Sequence, residues 1–271
     1  MLRVSEILDY ITEVAPLKWQ ESYDNSGLLV GNPNVLVDKV LLAIDVTEEV
    51  IDEAIDNSIH LIISHHPLIF KGLKNILADD VTGKMIMKAI KHDISIAAMH
   101  TNLDNSFYGV NRILAEKIGL KDLQILRPNY IESQGFTDSC SQVGSGMVGY
   151  FETEISENDF LKLIKERLNV SAIRHSRFLN RKISKVAICG GSGAFLIDDA
   201  KRCEADVYLT ADMKYHDFFE ANGKMLLVDA GHFETEQFTK QLIADIILKK
   251  NPKFAVQISS VKTNSVHYFV G

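Results

Sequence analysis

The amino-acid sequence predicts an α/β fold, and three observations favour that class. Apolar runs of strand length, such as residues 40–44, 61–63 and 94–99, alternate with segments in which apolar residues recur at helical spacing. The chain has 271 residues with 46% hydrophobic content, which is enough for one large core or two moderate ones. Several apolar runs end in polar clusters, as strands do where ligands bind at the edge of an open α/β sheet.

Helix caps and turn residues locate the elements of the first half. Ser5 is expected to cap the first helix, and Thr47 to cap a helix with acidic residues in its first turn. The elements expected up to Gly119 are, in order, the Ser5 helix ending before Pro16, a strand after the turn at residues 24–27, the strand 40–44, the Thr47 helix, the strand 61–63, a helix at residues 84–91, the strand from residue 94 and a helix at residues 111–118.

The middle of the chain also alternates strands with helices. A Gly- and Ser-rich approach at residues 139–146 leads to a strand through Val148 and Phe151, and Ser156 opens a helix with an acidic residue three positions on. A strand at residues 186–188 and a strand at 207–209 flank the sequence Gly190-Gly191-Ser192-Gly193 and a helix. That glycine-rich segment is interpreted as a structural tight turn rather than as an anion-binding loop, because it lacks the lysine and spacing of a phosphate-binding motif.

Two adjacent histidines, His65 and His66, are the most informative feature of the chain. They follow the apolar run 61–63 and precede Pro67, which breaks the strand and restricts His66 to extended or polyproline geometry. Neighbours in a regular strand point to opposite faces, so the chain must turn here if both imidazoles serve one site. An isolated His-His pair is more often a surface feature than a metal site, and other residues have to change that balance.

Two further strand ends carry the same chemistry. The run 94–99 is followed by His100 and Asp104, and the run 225–228 is followed by His232 and Glu236. If a helix begins near residue 231, His232 and Glu236 share one of its faces. Singly, each residue is better explained as a surface pair, a cap or a turn residue; jointly, three such clusters at strand ends predict a metal site.

Imidazole and carboxylate donors together suit divalent transition metals. They bind zinc, iron, manganese, nickel or cobalt, whereas calcium and magnesium prefer oxygen alone. Five ligands with one bridging carboxylate would hold two ions and leave positions open for water.

Four segments resemble one known family. They are Ser64-His65-His66-Pro67, the segment from His100 to Asp104, the segment from Gly231 to Glu236, and Asp24-Asn25-Ser26-Gly27 with its neighbours. In this order, over nearly the whole chain, they are similar to the NIF-three-like dinuclear metal-centre proteins, often labelled GTP cyclohydrolase 1 type 2 homologues. The resemblance implies that the metal ligands are His65, His66, Asp104, His232 and Glu236, with Glu236 bridging two ions per subunit; His100 ranks below these five.

The domain organisation follows from the positions of these ligands. A boundary is predicted after the turn at residues 127–129, and the last ligand pair must return to the first domain if it is to meet the others. We therefore expect one α/β domain at residues 1–127 plus 225–271, and a second α/β domain inserted at 128–224. The resemblance implies the same two-domain arrangement, with the metal site in the cleft between the domains.

Other polar residues are candidates of second rank. Asp212, Lys214 and His216 follow the strand 207–209 and mix acid, base and imidazole. His175 lies in the densest positive stretch, which also includes Arg174, Arg177, Arg181, Lys182 and Lys185. That stretch either contacts an anion or is a solvated loop, and the second interpretation is favoured.

Charge and cysteine content narrow the class of protein. A net charge of -7 and a pI of about 5.7 argue against binding of nucleic acid through bulk electrostatics. Cys140, Cys189 and Cys203 are odd in number and have no metal-binding spacing, so reduced packing residues are expected. No window resembles a membrane span or a signal peptide, so a cytoplasmic location is expected.

A paired metal centre favours hydrolysis. The family label implies a particular reaction, in which GTP is opened at C8 of guanine and releases formate to give dihydroneopterin triphosphate. Two alternatives remain: a metal-binding or partner-interacting protein without turnover, and a two-metal phosphoesterase. The resemblance also implies a homo-oligomer, a homohexamer, that acts on a small-molecule substrate.

Overall fold

The computed structural model describes residues 1–129 and 143–269. The strands in this range are β1 Leu2–Arg3, β2 Gly27–Val30, β3 Leu36–Val37, β4 Lys39–Ala43, β5 Leu61–Ser64, β6 Ser95–Ala98, β7 Lys121–Pro128, β8 Gly144–Ser156, β9 Arg174–His175, β10 Lys182–Ser192, β11 Val207–Ala211, β12 Leu226–Asp229 and β13 Ala255–Ile258. The α-helices are α1 Val4–Thr12, α2 Glu48–Asp56, α3 Val81–Lys91, α4 Thr101–Asp104, α5 Val110–Ile118, α6 Glu157–Arg167, α7 Ile197–Arg202, α8 His232–Glu236 and α9 Thr239–Lys250. Cys140 and part of the predicted approach at 139–146 lie outside the described residues.

The chain folds into two compact units, each built from two segments. The first unit comprises Met1–Leu103 and Thr239–Ser265, and the second comprises Asp104–Phe238 and Val266–Gly271. The α/β class and a two-domain arrangement agree with the prediction, but the boundaries differ from the predicted 128 and 224. The reason is packing: α5 contributes to the core of the second unit, and β12 pairs with β11 in that unit's sheet.

The first unit contains a five-stranded sheet in the order β13-β4-β5-β6-β2. The first four strands are parallel, and β2 runs antiparallel to β6. Strands β5 and β6 are buried along their whole length, as parallel strands covered on both faces are. Because β4, β5 and β6 are parallel, their carboxyl ends meet at one edge of the sheet, where antiparallel β2 begins.

The second unit contains a six-stranded sheet in the order β7-β8-β10-β11-β12-β9. Its central strands β10, β11 and β12 are parallel, and the flanking strands β8 and β9 are antiparallel to them. The fully buried side chains of Phe160 and Ile164 on α6 pack in one core with Val186 and Leu209 of this sheet. The carboxyl ends of β11 and β12 again lie together.

Local side-chain chemistry explains where several helices begin. Thr47 Oγ1 accepts a hydrogen bond from Val50 N (3.3 Å), and Ser156 Oγ accepts one from Asp159 N (3.1 Å), as the sequence predicts. The α3 helix starts earlier than the predicted residue 84, because Asp80 caps it by accepting from Gly83 N (2.7 Å).

The first helix begins earlier than expected. Arg3 rather than Ser5 occupies its N-cap, and Glu6 accepts a hydrogen bond from the Arg3 backbone N–H (2.7 Å). The α5 helix ends as predicted at Gly119, whose φ of 92° is a left-handed conformation that glycine adopts readily. Among the described helices, none is both long enough and apolar enough to cross a bilayer.

The glycine-rich segment after residue 189 is part of a strand, not the tight turn predicted between a strand and a helix. Strand β10 continues to Ser192, and its parallel register with β11 shifts between Ile188 and Ser192. Gly191, with φ of 60°, lies inside this irregular stretch. A bulge of this kind bends the strand and re-aims the backbone next to a site.

Candidate metal centre

His65 and His66 follow β5 at the carboxyl edge of the first unit's sheet. His65 N donates to Ala43 O (3.2 Å) and His66 N to Ile44 O (2.9 Å), so the parallel pairing between β5 and β4 continues past the end of β5. Ser64 Oγ donates to His66 O (2.7 Å) and closes a tight turn. The two ring centroids are 4.9 Å apart, so the turn predicted before Pro67 brings both imidazoles together.

His100 joins this pair from the end of β6. Its ring centroid lies 5.3 Å from that of His65 and 5.4 Å from that of His66. One ring nitrogen from each of the three histidines lies within 4.8 Å of the other two, a spacing that could hold a metal ion. The sequence ranked His100 below the five expected ligands, but its ring belongs to the same cluster as His65 and His66, which we call the histidine cluster.

Each histidine of this cluster has an oxygen acceptor at Nδ1. His65 Nδ1 lies 2.8 Å from Met99 O, His66 Nδ1 lies 2.7 Å from Asp45 Oδ1, and His100 Nδ1 lies 2.7 Å from Asp24 Oδ1. Because these oxygens accept, Nδ1 carries the proton in each neutral ring, and the lone pair is at Nε2. Metal-binding histidines are oriented in this way, and the donor set therefore fits a metal ion.

Asp24 orients His100 from the turn before β2. Its side chain is fully buried and accepts hydrogen bonds from Asn25 N (2.7 Å), Ser26 Oγ (3.0 Å) and Thr101 N (3.0 Å), and also from the Thr101 hydroxyl. Burial alone would raise the pKa of Asp24, but the hydrogen bonds from His100 and Thr101 outweigh it and hold that pKa well below its usual range. Asp24 is therefore a fixed anion beside the imidazole.

Asp45 has the same relation to His66. It lies two residues after the end of β4, and Thr263 Oγ1 donates to its second oxygen (2.6 Å). Burial raises the pKa of Asp45, but the hydrogen bonds from His66 and Thr263 outweigh burial, so the pKa of Asp45 is lowered overall. Sequence reasoning missed Asp45, although this residue directly follows the apolar run 40–44, just as the histidines follow the apolar runs of their own strands.

The second unit has its own donor cluster, formed by Asp104, Asp212, His232 and Glu236, which we call the carboxylate cluster. Asp212 follows β11, and His232 and Glu236 are the first and last residues of α8, just after β12. Asp104 and Glu236 each offer a carboxylate oxygen, and these oxygens lie within 4.8 Å of each other. Glu236 is 3% exposed, and a glutamate buried to this degree needs a strong partner.

His232 lies between two carboxylates of this cluster. Its Nδ1 is 2.7 Å from Asp212 Oδ2, and its Nε2 is 2.9 Å from Glu236 Oε2. Burial lowers the pKa of His232, but the hydrogen bonds to Asp212 and Glu236 raise it to about 11. The doubly protonated ring thus places a positive charge next to Glu236. A bound metal cation would supply that positive charge in its place, because His232 can ligate a metal only as a neutral ring.

The second-rank residues separate into two groups. Asp212 belongs to the carboxylate cluster as the partner of His232. His175, Lys214 and His216 are exposed and lie outside both clusters: His175 stacks on Phe178 with a centroid distance of 4.6 Å, and His216 contacts an exposed tyrosine ring.

The positive stretch around His175 pairs within the second unit. Arg174 forms an ion pair with Asp229 at the end of β12, and Arg181 Nη1 donates to Lys224 O (3.1 Å). Cys189 is buried, and burial raises the pKa of its thiol far above the usual value, in agreement with a reduced packing residue.

The fold and the two clusters define an α/β protein whose strand ends carry histidine and carboxylate groups suited to divalent metal ions. The sequence matches the model of the family Duf34/NIF3 (NGG1p interacting factor 3) over residues 2–265, and the chain belongs to that family.

Curated relatives and solved structures agree with this assignment. The chain is 35% identical over 272 residues to a Campylobacter jejuni protein named GTP cyclohydrolase 1 type 2 homolog, covering 99% of this chain and 100% of that one. A Clostridium perfringens protein of the same name is 35% identical over 87% of each chain. The crystal structure of a Bacillus cereus protein related to NIF3 superposes with a TM-score of 0.91 at 28% identity, over 99% of both chains.

Proposed function

We propose that this protein is a divalent-metal-dependent hydrolase that binds two ions per subunit through His65, His66, Asp104, His232 and Glu236, with Glu236 bridging. The observation that carries the proposal is the orientation of the imidazoles: every histidine in the two clusters has an oxygen acceptor at Nδ1. In His65, His66 and His100, an outer hydrogen bond of this kind fixes the tautomer and makes Nε2 the better ligand. His232 takes the same form when a metal ion displaces its second proton. Four such pairs are not expected of histidines that only pack.

The donor chemistry supports transition metals over calcium or magnesium. Imidazole nitrogen combined with carboxylate oxygen suits zinc, iron, manganese, nickel or cobalt. A divalent ion with an open position lowers the pKa of bound water towards about 7, which makes hydrolysis possible at neutral pH. The residues of this chain contribute ligation, imidazole orientation through Asp24, Asp45 and Asp212, and burial of the Glu236 carboxylate.

GTP is the first substrate to test, because the relatives are named GTP cyclohydrolase 1 type 2 homologs. Cyclohydrolase action opens the guanine ring and releases formate, whereas a two-metal phosphoesterase would release phosphate from the same nucleotide. A metal-binding protein that acts through partners would release neither product.

The test combines metal analysis with both product assays. Protein is purified without chelator or immobilised nickel, its metals are counted by elemental analysis, and formate and phosphate are measured with GTP before and after metal is restored. Two metals with formate release support the cyclohydrolase, and two metals with phosphate release support the phosphoesterase. Metal without turnover favours the binding protein, and no bound metal refutes the proposal.

Variants test the ligand assignment separately from the substrate. His66→Ala and Glu236→Ala should each lower the metal content while the circular dichroism spectrum stays that of the wild type. His92→Ala and Glu220→Ala, at exposed positions outside both clusters, are the matched controls and should keep the full metal content. An unchanged metal content in both ligand variants would refute the assignment. The homohexamer remains a prediction that light scattering can check.

A further inference from the structure

Gly191 lies against the carboxylate and the imidazole of α8. A Cβ atom placed on it would lie 2.1 Å from Glu236 Oε1, 3.0 Å from Glu236 Cδ and 3.2 Å from His232 Cε1. The first distance is far inside van der Waals contact, so any side chain at this position would displace Glu236. The space between the β10 bulge and α8 therefore accommodates a glycine but no residue with a Cβ atom.

The backbone around Gly191 cannot easily move away from α8. Gly191 N donates to Thr235 Oγ1 (3.0 Å), and Gly191 O accepts from Thr210 Oγ1 (3.1 Å). Gly190 N donates to Asn111 Oδ1 (2.9 Å) on α5. Thr235 lies within α8 beside Glu236, so the same hydrogen bond that holds the bulge also fixes its distance from the carboxylate.

We propose that Gly191 is a positioning residue for metal binding: its bare Cα sets the location of the Glu236 carboxylate and the His232 ring. This inference rests on the proposed function only in that Glu236 and His232 bind metal. The β10 bulge then serves the carboxylate cluster, and the glycine is required by the room that Glu236 occupies as well as by its positive φ.

Gly223 is a control that separates the requirement for a positive φ from the requirement for space beside Glu236. Its φ of 67° is close to the 60° of Gly191, but a Cβ placed on Gly223 would meet nothing within 4 Å. Gly191→Ala and Gly223→Ala therefore share the strain of a left-handed alanine, and only Gly191→Ala crowds Glu236.

The first experiment compares zinc affinity, by competition with a chelating indicator, and the visible absorption spectrum of cobalt-loaded protein. Gly191→Ala should weaken zinc binding roughly tenfold or more and change the cobalt spectrum, as disturbed ligand geometry does. Gly223→Ala should match the wild type in both. Equal affinity and spectrum in all three proteins would overturn the inference. A wild-type protein that binds no metal would instead refute the proposed function.

A second experiment does not need metal and applies even if Gly191→Ala folds poorly. Glu236→Asp shortens the side chain by one methylene and withdraws the carboxylate from residue 191. In metal-free protein, Gly191→Ala should lower the thermal unfolding midpoint by less in the Glu236→Asp background than in the wild-type background. The same loss in both backgrounds would show that residues 191 and 236 do not compete for space.

Discussion

Replacement of Asp45 by asparagine should weaken metal binding by the histidine cluster without unfolding the first unit. The introduced asparagine has the same shape as the aspartate, and its Oδ1 can still accept from His66 Nδ1. Its amide group can donate to the Thr263 hydroxyl, which can turn to accept. The substitution therefore removes the negative charge behind the imidazole and leaves both hydrogen bonds possible.

The exposure of Asp45 sets the size of the effect. Loss of an outer-shell partner of a metal-binding histidine lowers metal affinity by about 10- to 100-fold, or about 1.4–2.7 kcal/mol. The Asp45 side chain is 36% exposed and that of His66 is 23% exposed, so water screens the pair. We therefore expect a loss near the lower end, about tenfold and about 1.4 kcal/mol.

Zinc competition titration at fixed pH and salt measures this loss directly. Asp38→Asn, an exposed substitution in the same unit that also removes one negative charge, controls for the change in net charge. Urea unfolding of metal-free Asp45→Asn checks that the fold is retained. Zinc affinity within twofold of the Asp38→Asn control would refute the view that Asp45 tunes His66.

Two further predictions concern carboxylates outside the clusters. Burial raises the pKa of Glu53, but hydrogen bonds from Ser259 and Ser260 lower it overall, so this carboxylate stabilises the fold at neutral pH and the contribution is lost as the pH falls through the lowered pKa. Glu53→Gln should cost about 1 kcal/mol of unfolding free energy at neutral pH and little at a pH below that lowered pKa. Urea titrations at both pH values would show the difference, and an equal cost at both would contradict the prediction. Glu157 is buried and accepts from two backbone N–H groups before β10, so Glu157→Ala should cost about 2 kcal/mol while exposed Glu166→Ala costs much less, with zinc affinity unchanged in both.

The sequence predicts the α/β class and the residue types of the clusters because both follow from short-range patterns. Apolar runs mark strands, and the carboxyl ends of parallel strands share an edge, so His65, His66 and His100 could be selected without coordinates. Their relative distances depend on strand order, which the sequence does not state. The pairing of β5 with both β4 and β6 is what brings Asp45 and His100 to the two sides of the His65–His66 turn.

Long-range packing explains what the sequence left out. Asp45 acquires its role through contact with His66, 21 residues away, and Gly191 through contact with Glu236, which is also distant along the chain; neither partner is indicated by local spacing. The boundary between units differs from the predicted one because α5 packs in the core of the second unit, and the helical spacing of its apolar residues does not say which core they join. Residues 190–193 resembled a turn because glycine marks turns and bulges alike.

The position of β13 has a consequence for how the chain is made. Strand β13 covers the outer edge of β4, and the Ser259–Glu53 hydrogen bond spans 206 residues, so the first unit's sheet is completed only after residues 255–259 have left the ribosome. Until then β4 presents an open strand edge, which is a template for pairing with other chains. A nascent or truncated chain that ends before residue 255 keeps His65, His66 and His100 but lacks both that cover and Thr263. Such a fragment should aggregate before it can bind metal.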